Sequence, residues 1–219
     1  MSDLFEVRAS ALGAYAEGQR LPAPLSKMGL PAVLSKWDHF ALMGKMYNLK
    51  QTTVGTALAG GTADAGGLVL TVPWVQFTVP SGLTVFPRHF NLAVAAAAGT
   101  LNEIAFVYTQ TDSYTSGGTT LTPLNWRSGG AASSVTNVVV GPSGGVITEA
   151  ALVGVRAIYQ DILPAAFTAS FLSFRVDQYF EDLRPVIGPA SVLVYFTGAT
   201  TTPTGYFSID WAEVPSSVL

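Results

Sequence analysis

Residues 206–213 read YFSIDWAE, and this stretch shows the pattern that decides the fold. Large apolar side chains at Phe207, Ile209 and Trp211 alternate with small or polar ones. Successive side chains of a β-strand point to opposite faces of the sheet. The pattern therefore predicts a strand over residues 205–214 with all three large side chains on its buried face.

The same alternation recurs upstream. Residues 75–79, VQFTV, are followed by a Pro-Ser-Gly turn, and on the next strand Phe86 and Phe90 share one parity with the apolar residues at 92 and 94. A third strand places Ile104, Phe106 and Tyr108 on one face. Further strands are predicted over residues 134–140, 146–160, 170–178 and 191–197.

The count of eight strands predicts an all-β domain over residues 67–214. Because no helical pattern longer than about ten residues interrupts the series, α/β units are disfavoured. We predict an eight-stranded antiparallel jelly-roll sandwich, since the long loops at 111–133 and 179–190 suit it better than an immunoglobulin-type sandwich. A generic β-sandwich is the alternative. Residues 215–219 are predicted to form a short C-terminal tail.

Residues 1–66 are predicted to form an N-terminal arm containing a short helix near 33–48. Ser35 followed by Asp38 resembles a capping box, and several apolar residues of this stretch fall near one helical face. The helix packs either against its own body or against neighbouring subunits. For the second case we assign the candidate arm interface to Trp37, Phe40, Met43 and Tyr47.

The composition favours an assembly. Charged residues make up 11% of the chain and hydrophobic residues 49%, whereas an ordinary soluble domain is about 25% charged. Such a weakly charged surface suits burial against neighbouring subunits. Six basic residues stand against four acidic ones in the first 50, which is too dilute to neutralise nucleic acid. The candidate inner-surface basic residues are Arg8, Arg20, Lys27, Lys36, Lys45 and Lys50.

Few sequence features point to catalysis or cofactors. The chain has no cysteine and two histidines, which excludes disulfides and thiolate metal sites and disfavours a histidine-rich one. Residues 141–145, GPSGG, match a nucleophile elbow, but they lie between two predicted strands and read as a turn. Asp177, Glu181 and Asp182 form an acidic cluster, which we interpret as a solvated loop rather than a calcium or glycosidase site. We expect no enzyme activity and no cofactor. No apolar stretch reaches the roughly 18 residues of a membrane-spanning helix.

The order of a leader followed by eight strands resembles the single jelly-roll capsid proteins of icosahedral viruses. More loosely, three stretches resemble bacteriophage virion structural proteins: VPSG at 79–82, GGTTLTPLN at 117–125 and YFSIDWAE at 206–213. The resemblance covers residues 68–214. It implies a shell-forming role through lateral contacts. The leader lacks the dense basic arm of many single-stranded RNA virus capsids, which favours a shell around double-stranded DNA or an internal membrane.

The resemblance and the composition together predict a structural virion protein. A major capsid protein made in the host cytoplasm and built into the virion shell fits best. Its partners would be copies of itself, together with other capsid or vertex proteins, and an internal membrane or genome contacted weakly by the arm. The alternative is a carbohydrate- or receptor-binding module, such as a spike or vertex protein, that uses the candidate exposed loop aromatics Tyr114 and Trp126. No small-molecule substrate is expected.

Overall fold

The computed structural model describes residues 35–50, 56–62, 71–96, 101–142, 152–162, 175–179, 185–198 and 202–218. Within these ranges the chain is mostly β-structure with little helix, which confirms the all-β class. The one α-helix in this part, α1, spans Lys36–Leu42, and a short 3-10 helix spans Ser216–Val218. The strands are β1 Met46–Lys50, β2 Leu58–Ala59, β3 Gly61–Thr62, β4 Val75–Val79, β5 Leu83–Ala96, β6 Leu101–Thr109, β7 Thr119–Thr120, β8 Leu124–Asn125, β9 Thr136–Val140, β10 Leu152–Ile162, β11 Arg175–Tyr179, β12 Val186–Ile187, β13 Ala190–Gly198 and β14 Thr204–Pro215.

The strands form two sheets. The first sheet has the order β11-β5-β14-β1-β8, with β12 paired to β5 and β2 paired to β14. The second sheet has the order β10-β6-β13-β4-β9-β7, with β3 paired in parallel to β13. All other pairings are antiparallel.

Eight of these strands pair as nested partners along the chain. In chain order they are β1, β4, β5, β6, β10, β11, β13 and β14. The first pairs with the last and the second with the seventh, while the third pairs with the sixth and the fourth with the fifth. Two further pairings, β14 with β5 and β13 with β6, join these hairpin-like pairs into sheets.

The core lies between the two sheets and is rich in aromatic side chains. The ring of Trp211 on β14 stacks on Phe77 of β4 at 5.0 Å between centroids. Trp74, which precedes β4, packs at 5.0 Å against Phe196 and at 5.0 Å against Phe207. Phe207, Ile209 and Trp211 are all buried in this core, so the predicted inner face of the closing strand is confirmed.

A β-bulge on β5 changes which face each side chain occupies. His89 pairs with Asp210 and Pro87 pairs with Trp211, so Arg88 is an extra residue without a partner on β14. Proline has no N–H to donate to the ladder and is tolerated in strands at bulges. Because the extra residue shifts the alternation, the expectation that Phe86 shares a face with Phe90 is wrong. Phe90 lies in the core, whereas Phe86 is half-buried on the outer face.

The helix is shorter than predicted. Its capping box is present, because Ser35 Oγ accepts from the Asp38 N–H at 3.1 Å and the Asp38 carboxylate accepts from the Ser35 N–H at 3.2 Å. The helix ends at Leu42 instead of near residue 48, and Gly44 follows with φ +67°, a left-handed conformation that favours glycine.

Residues 46–50 form β1 where the helix was expected to continue. This strand pairs along its whole length with β14, so the predicted arm boundary at residue 66 divides the first sheet. The assignment of Tyr47 to an arm interface is also wrong, since the residue is 3% exposed and stacks on Trp211. Phe40 and Tyr47 are seven residues apart, which is also the spacing of two residues on one helical face. Here Phe40 belongs to the helix and Tyr47 to the strand that follows it.

Candidate functional site

An exposed group of apolar and aromatic side chains surrounds the bulge on the outer face of the first sheet. Helix α1, the bulge of β5 and the turn that carries β8 supply its members. We call this group the aromatic–arginine surface; it consists of Trp37, Phe40, Leu42, Met43, Arg88, Leu124 and Trp126.

Arg88 occupies the centre of this surface. Its guanidinium carbon lies 4.8 Å from the ring centroid of Trp126 and 5.8 Å from that of Trp37. A guanidinium over an indole face is a favourable cation–π contact. A bulge re-aims the side chain of the extra residue, and here it brings Arg88 to the face that carries both tryptophans. The bulge therefore builds the surface.

The helix is fixed to the sheet by packing and by hydrogen bonds. The ring of Phe40 stacks on Phe86 at 6.0 Å between centroids. Asn125 Nδ2 donates to the Gly44 carbonyl at 2.9 Å, and Arg127 Nη1 donates to the Leu42 carbonyl at 3.5 Å. These contacts join α1 to β8 and the turn after it, so the segments that carry Trp37 and Trp126 are held in one arrangement.

Exposed apolar area concentrates on this surface. Leu42 is 63% exposed, Leu124 52%, Met43 47% and Trp126 45%. In the part of the chain that the structure describes, only Val72 and Ile187 are further exposed large hydrophobic residues. Clustering of this kind marks interaction sites, whereas isolated exposed apolar residues are ordinary.

The charges around the surface are mainly positive. Lys36 lies 4.9 Å from the Trp37 ring centroid, and Arg127 is exposed beside Trp126. The nearby acid is Asp38, which accepts hydrogen bonds from Ser35. These hydrogen bonds lower the pKa of Asp38, and the charge of Arg88 lowers it further. Asp38 is thus an ionised carboxylate whose hydrogen bonds with Ser35 form the helix cap.

A polar network lies next to the bulge. Asn48 Nδ2 donates to Asp210 Oδ1 at 2.6 Å, and His89 Nδ1 lies 3.3 Å from Asp210 Oδ2. These residues stand on β1, β14 and β5, which are neighbours in the first sheet. The network links β1, β14 and β5 beside the bulge at Arg88.

A buried carboxylate anchors the loop that follows Trp126. Glu213 is 3% exposed and accepts from Trp211 Nε1 at 2.9 Å and from the Ser134 N–H at 2.7 Å. Ser133 Oγ donates to it as well. Burial raises the pKa of the Tyr47 hydroxyl, and the charge of Glu213 adds to that rise. Buried charges are tolerated when hydrogen bonds satisfy them, and here the bonds fix residues 133–134 against the core.

The structure brings most of the predicted interface residues together. Trp37, Phe40 and Met43 of the candidate arm interface meet Trp126 of the candidate loop pair at the aromatic–arginine surface. Tyr114 lies elsewhere: it is half-buried and donates from its hydroxyl to the Gly117 carbonyl at 3.0 Å. The Tyr114 loop is bonded to the second sheet, so the two predicted loop aromatics do not form one platform.

The remaining predicted residues are scattered or lie outside the described ranges. Lys36 and Lys50 are exposed and Lys45 is half-buried. Of the candidate basic residues, Arg8, Arg20 and Lys27 lie outside the described residues, and so do residues 143–145 of the predicted turn and Glu181 and Asp182 of the predicted solvated loop. Of the described residues, no group of three or more His, Asp or Glu side chains is arranged to hold a metal ion.

Sequence reasoning missed Arg88, Leu42 and Leu124. Arg88 follows Pro87, and a proline inside an apolar strand is a signal for a bulge. Leu42 and Leu124 gave no such signal, because isolated leucines are common both inside and outside proteins.

Comparison with known proteins gives no family for the chain. No protein-family model matches it, and no curated protein or solved structure is similar enough to count as a match. Across the described ranges, no helix has the length and apolarity needed to span a membrane. The fold and the aromatic–arginine surface are the features of the chain that bear on its function.

Proposed function

We propose that the two sheets form a jelly roll and that the chain is a structural virion protein, a capsid protein that assembles with copies of itself into an icosahedral shell. The nested pairing of eight strands supports the first part. A jelly roll is a long antiparallel hairpin rolled into two four-stranded sheets. The strand orders β1-β14-β5-β11 and β4-β13-β6-β10 correspond to such a roll. The remaining short strands add to the edges of the two sheets.

The aromatic–arginine surface is the observation that carries the assembly role. The cores of protein interfaces are enriched in Trp, Phe, Met and Arg, and the residues that dominate binding energy are most often Trp, Tyr and Arg. This surface combines Trp37, Trp126, Met43 and Arg88 on one face. The aromatic rings between the sheets serve packing, so the exposed rings are the ones available to a partner.

A carbohydrate- or receptor-binding module is the second candidate. The observation in its favour is Trp126, a residue that is 45% exposed beside Arg88. The separation of Tyr114 from Trp126 weighs against it, since a sugar platform needs several flat groups on one face.

Sedimentation velocity and negative-stain microscopy of the purified protein test the proposal. We expect assemblies well beyond a dimer at micromolar concentration. Trp126→Ala should weaken association about 30-fold or more, as the loss of a dominant interface residue does. Ile187→Ser is the matched control, because Ile187 is 59% exposed and lies outside the surface.

Two results would count against the shell role. A wild-type protein that stays monomeric and binds glycans through Trp126 would establish the second candidate instead. Equal loss of association in Trp126→Ala and Ile187→Ser would indicate unspecific hydrophobic contact. Unchanged circular dichroism of both variants shows that the fold is retained.

A further inference from the structure

We infer that the aromatic–arginine surface of one copy binds the loop at residues 111–118 of a second copy. We call this segment the Asp112 loop. The inference rests on the proposed assembly role and specifies its geometry, namely a contact between two different surfaces of the same chain.

Charge disfavours pairing of the aromatic–arginine surface with itself. A two-fold symmetric contact places the same patch on both subunits. It would bring Lys36, Arg88 and Arg127 of one copy towards the same cations of the other. Like charges brought together across an interface suppress association. Asp38 offsets one of these three positive charges, so the surface keeps an excess of cations.

The rest of the chain has the opposite charge. Residues 51–219 contain ten acidic residues and five arginines, of which Arg88 and Arg127 belong to the aromatic–arginine surface or its rim. That leaves three arginines against ten acids. A cationic surface on an otherwise acidic chain complements another part of a second copy.

The Asp112 loop offers an exposed acid in a fixed conformation. Asp112 Oδ1 accepts from Thr78 Oγ1 at 2.8 Å and from the Tyr114 N–H at 3.0 Å. The Ser113 N–H donates to Ser191 Oγ at 2.9 Å, which ties the loop to β13. Asp112 remains exposed on this support. Because hydrogen bonds already fix its side chain, this carboxylate loses little conformational entropy when it binds a guanidinium.

The two surfaces belong to opposite sheets. The aromatic–arginine surface lies on the outer face of the first sheet, and the Asp112 loop is bonded to β4 and β13 of the second. When two copies associate through these two different surfaces, the resulting dimer still has one unused aromatic–arginine surface and one unused Asp112 loop. Such contacts continue from copy to copy and close into rings when the rotation allows.

Two variants test this geometry in the full-length chain. Trp126→Ala impairs the aromatic–arginine surface. Asp112→Asn removes the charge of the loop but keeps an oxygen that accepts from Thr78 and Tyr114. Each variant alone should associate about 30-fold more weakly than wild type. An equimolar mixture should form a mixed pair of near wild-type affinity, because one variant keeps the loop and the other keeps the surface. With a single intact contact, the mixture should stop at two chains.

Sedimentation of the mixture, with one variant fluorescently labelled, reads out that pair. Wild-type association of Asp112→Asn, or a mixture no stronger than its components, would overturn the inference and leave the shell role standing. A wild-type chain that does not associate at all would overturn both. Folding of each variant is checked by its thermal unfolding midpoint.

Discussion

Trp211→Ala removes the side chain at the centre of the sandwich. Trp211 is fully buried, stacks on Phe77 at 5.0 Å and on Tyr47 at 6.3 Å, and donates to Glu213 at 2.9 Å. Truncating a buried tryptophan typically costs about 3–5 kcal/mol. Leaving the Glu213 carboxylate without one of its donors adds about 1–3 kcal/mol.

The expected loss is therefore about 4–8 kcal/mol, against a usual total stability of about 5–15 kcal/mol. Trp211→Ala should be unfolded or close to it. Trp211→Phe keeps a ring against Phe77 but has no N–H, so it should fall between wild type and alanine. Ser208→Ala is the matched control on the same strand; Ser208 is half-buried on the opposite face, and its loss should cost under about 1 kcal/mol.

Urea titration followed by circular dichroism measures these differences. The series is best made in a Trp126→Ala background, because association of folded chains would otherwise add to the apparent stability. The reasoning is refuted if Trp211→Ala lies within about 1 kcal/mol of the background while Ser208→Ala is destabilised by more. That outcome would place the core on the other face of β14.

Two further predictions concern ionisable groups. Glu213→Gln places a donor NH₂ where a carboxylate oxygen accepts from three donors, so the free energy of unfolding should fall by about 1–3 kcal/mol. Hydrogen exchange at the Ser134 amide should become faster. Unchanged exchange would show that the carboxylate does not hold the loop. The pKa of Asp38 is lowered below its ordinary 3.8 in the folded chain, so its support of the helix cap is complete above that pH and disappears as the pH falls through the lowered value. The Asp38 amide shift in NMR should report this titration in wild type. In Ser35→Ala the titration should move towards pH 3.8; an identical midpoint in both would contradict the capping role.

The sequence predicted the all-β class, the capping box and the inner face of the closing strand, because each depends on residues adjacent in the chain. It could not predict the aromatic–arginine surface, which joins Trp37, Arg88 and Trp126 from three distant segments. The prediction that Phe86 faces the core failed because of the extra residue Arg88, since an alternating pattern does not show where a β-bulge inserts an unpaired residue. Tyr47 was misassigned because a helix and a strand meet within a few residues.

The pairing of β1 with β14 sets the order in which the molecule can be completed during synthesis. Asn48 and Asp210 are hydrogen-bonded across 162 positions of sequence. On the ribosome, the pairings of β1 and of β5 with β14 cannot form until residues 204–215 have been translated. Contacts between distant residues also slow folding, because the connecting chain must be closed first. The nascent first sheet thus exposes apolar strands for most of translation. A holding chaperone that shields these strands before release would raise the yield of folded chain.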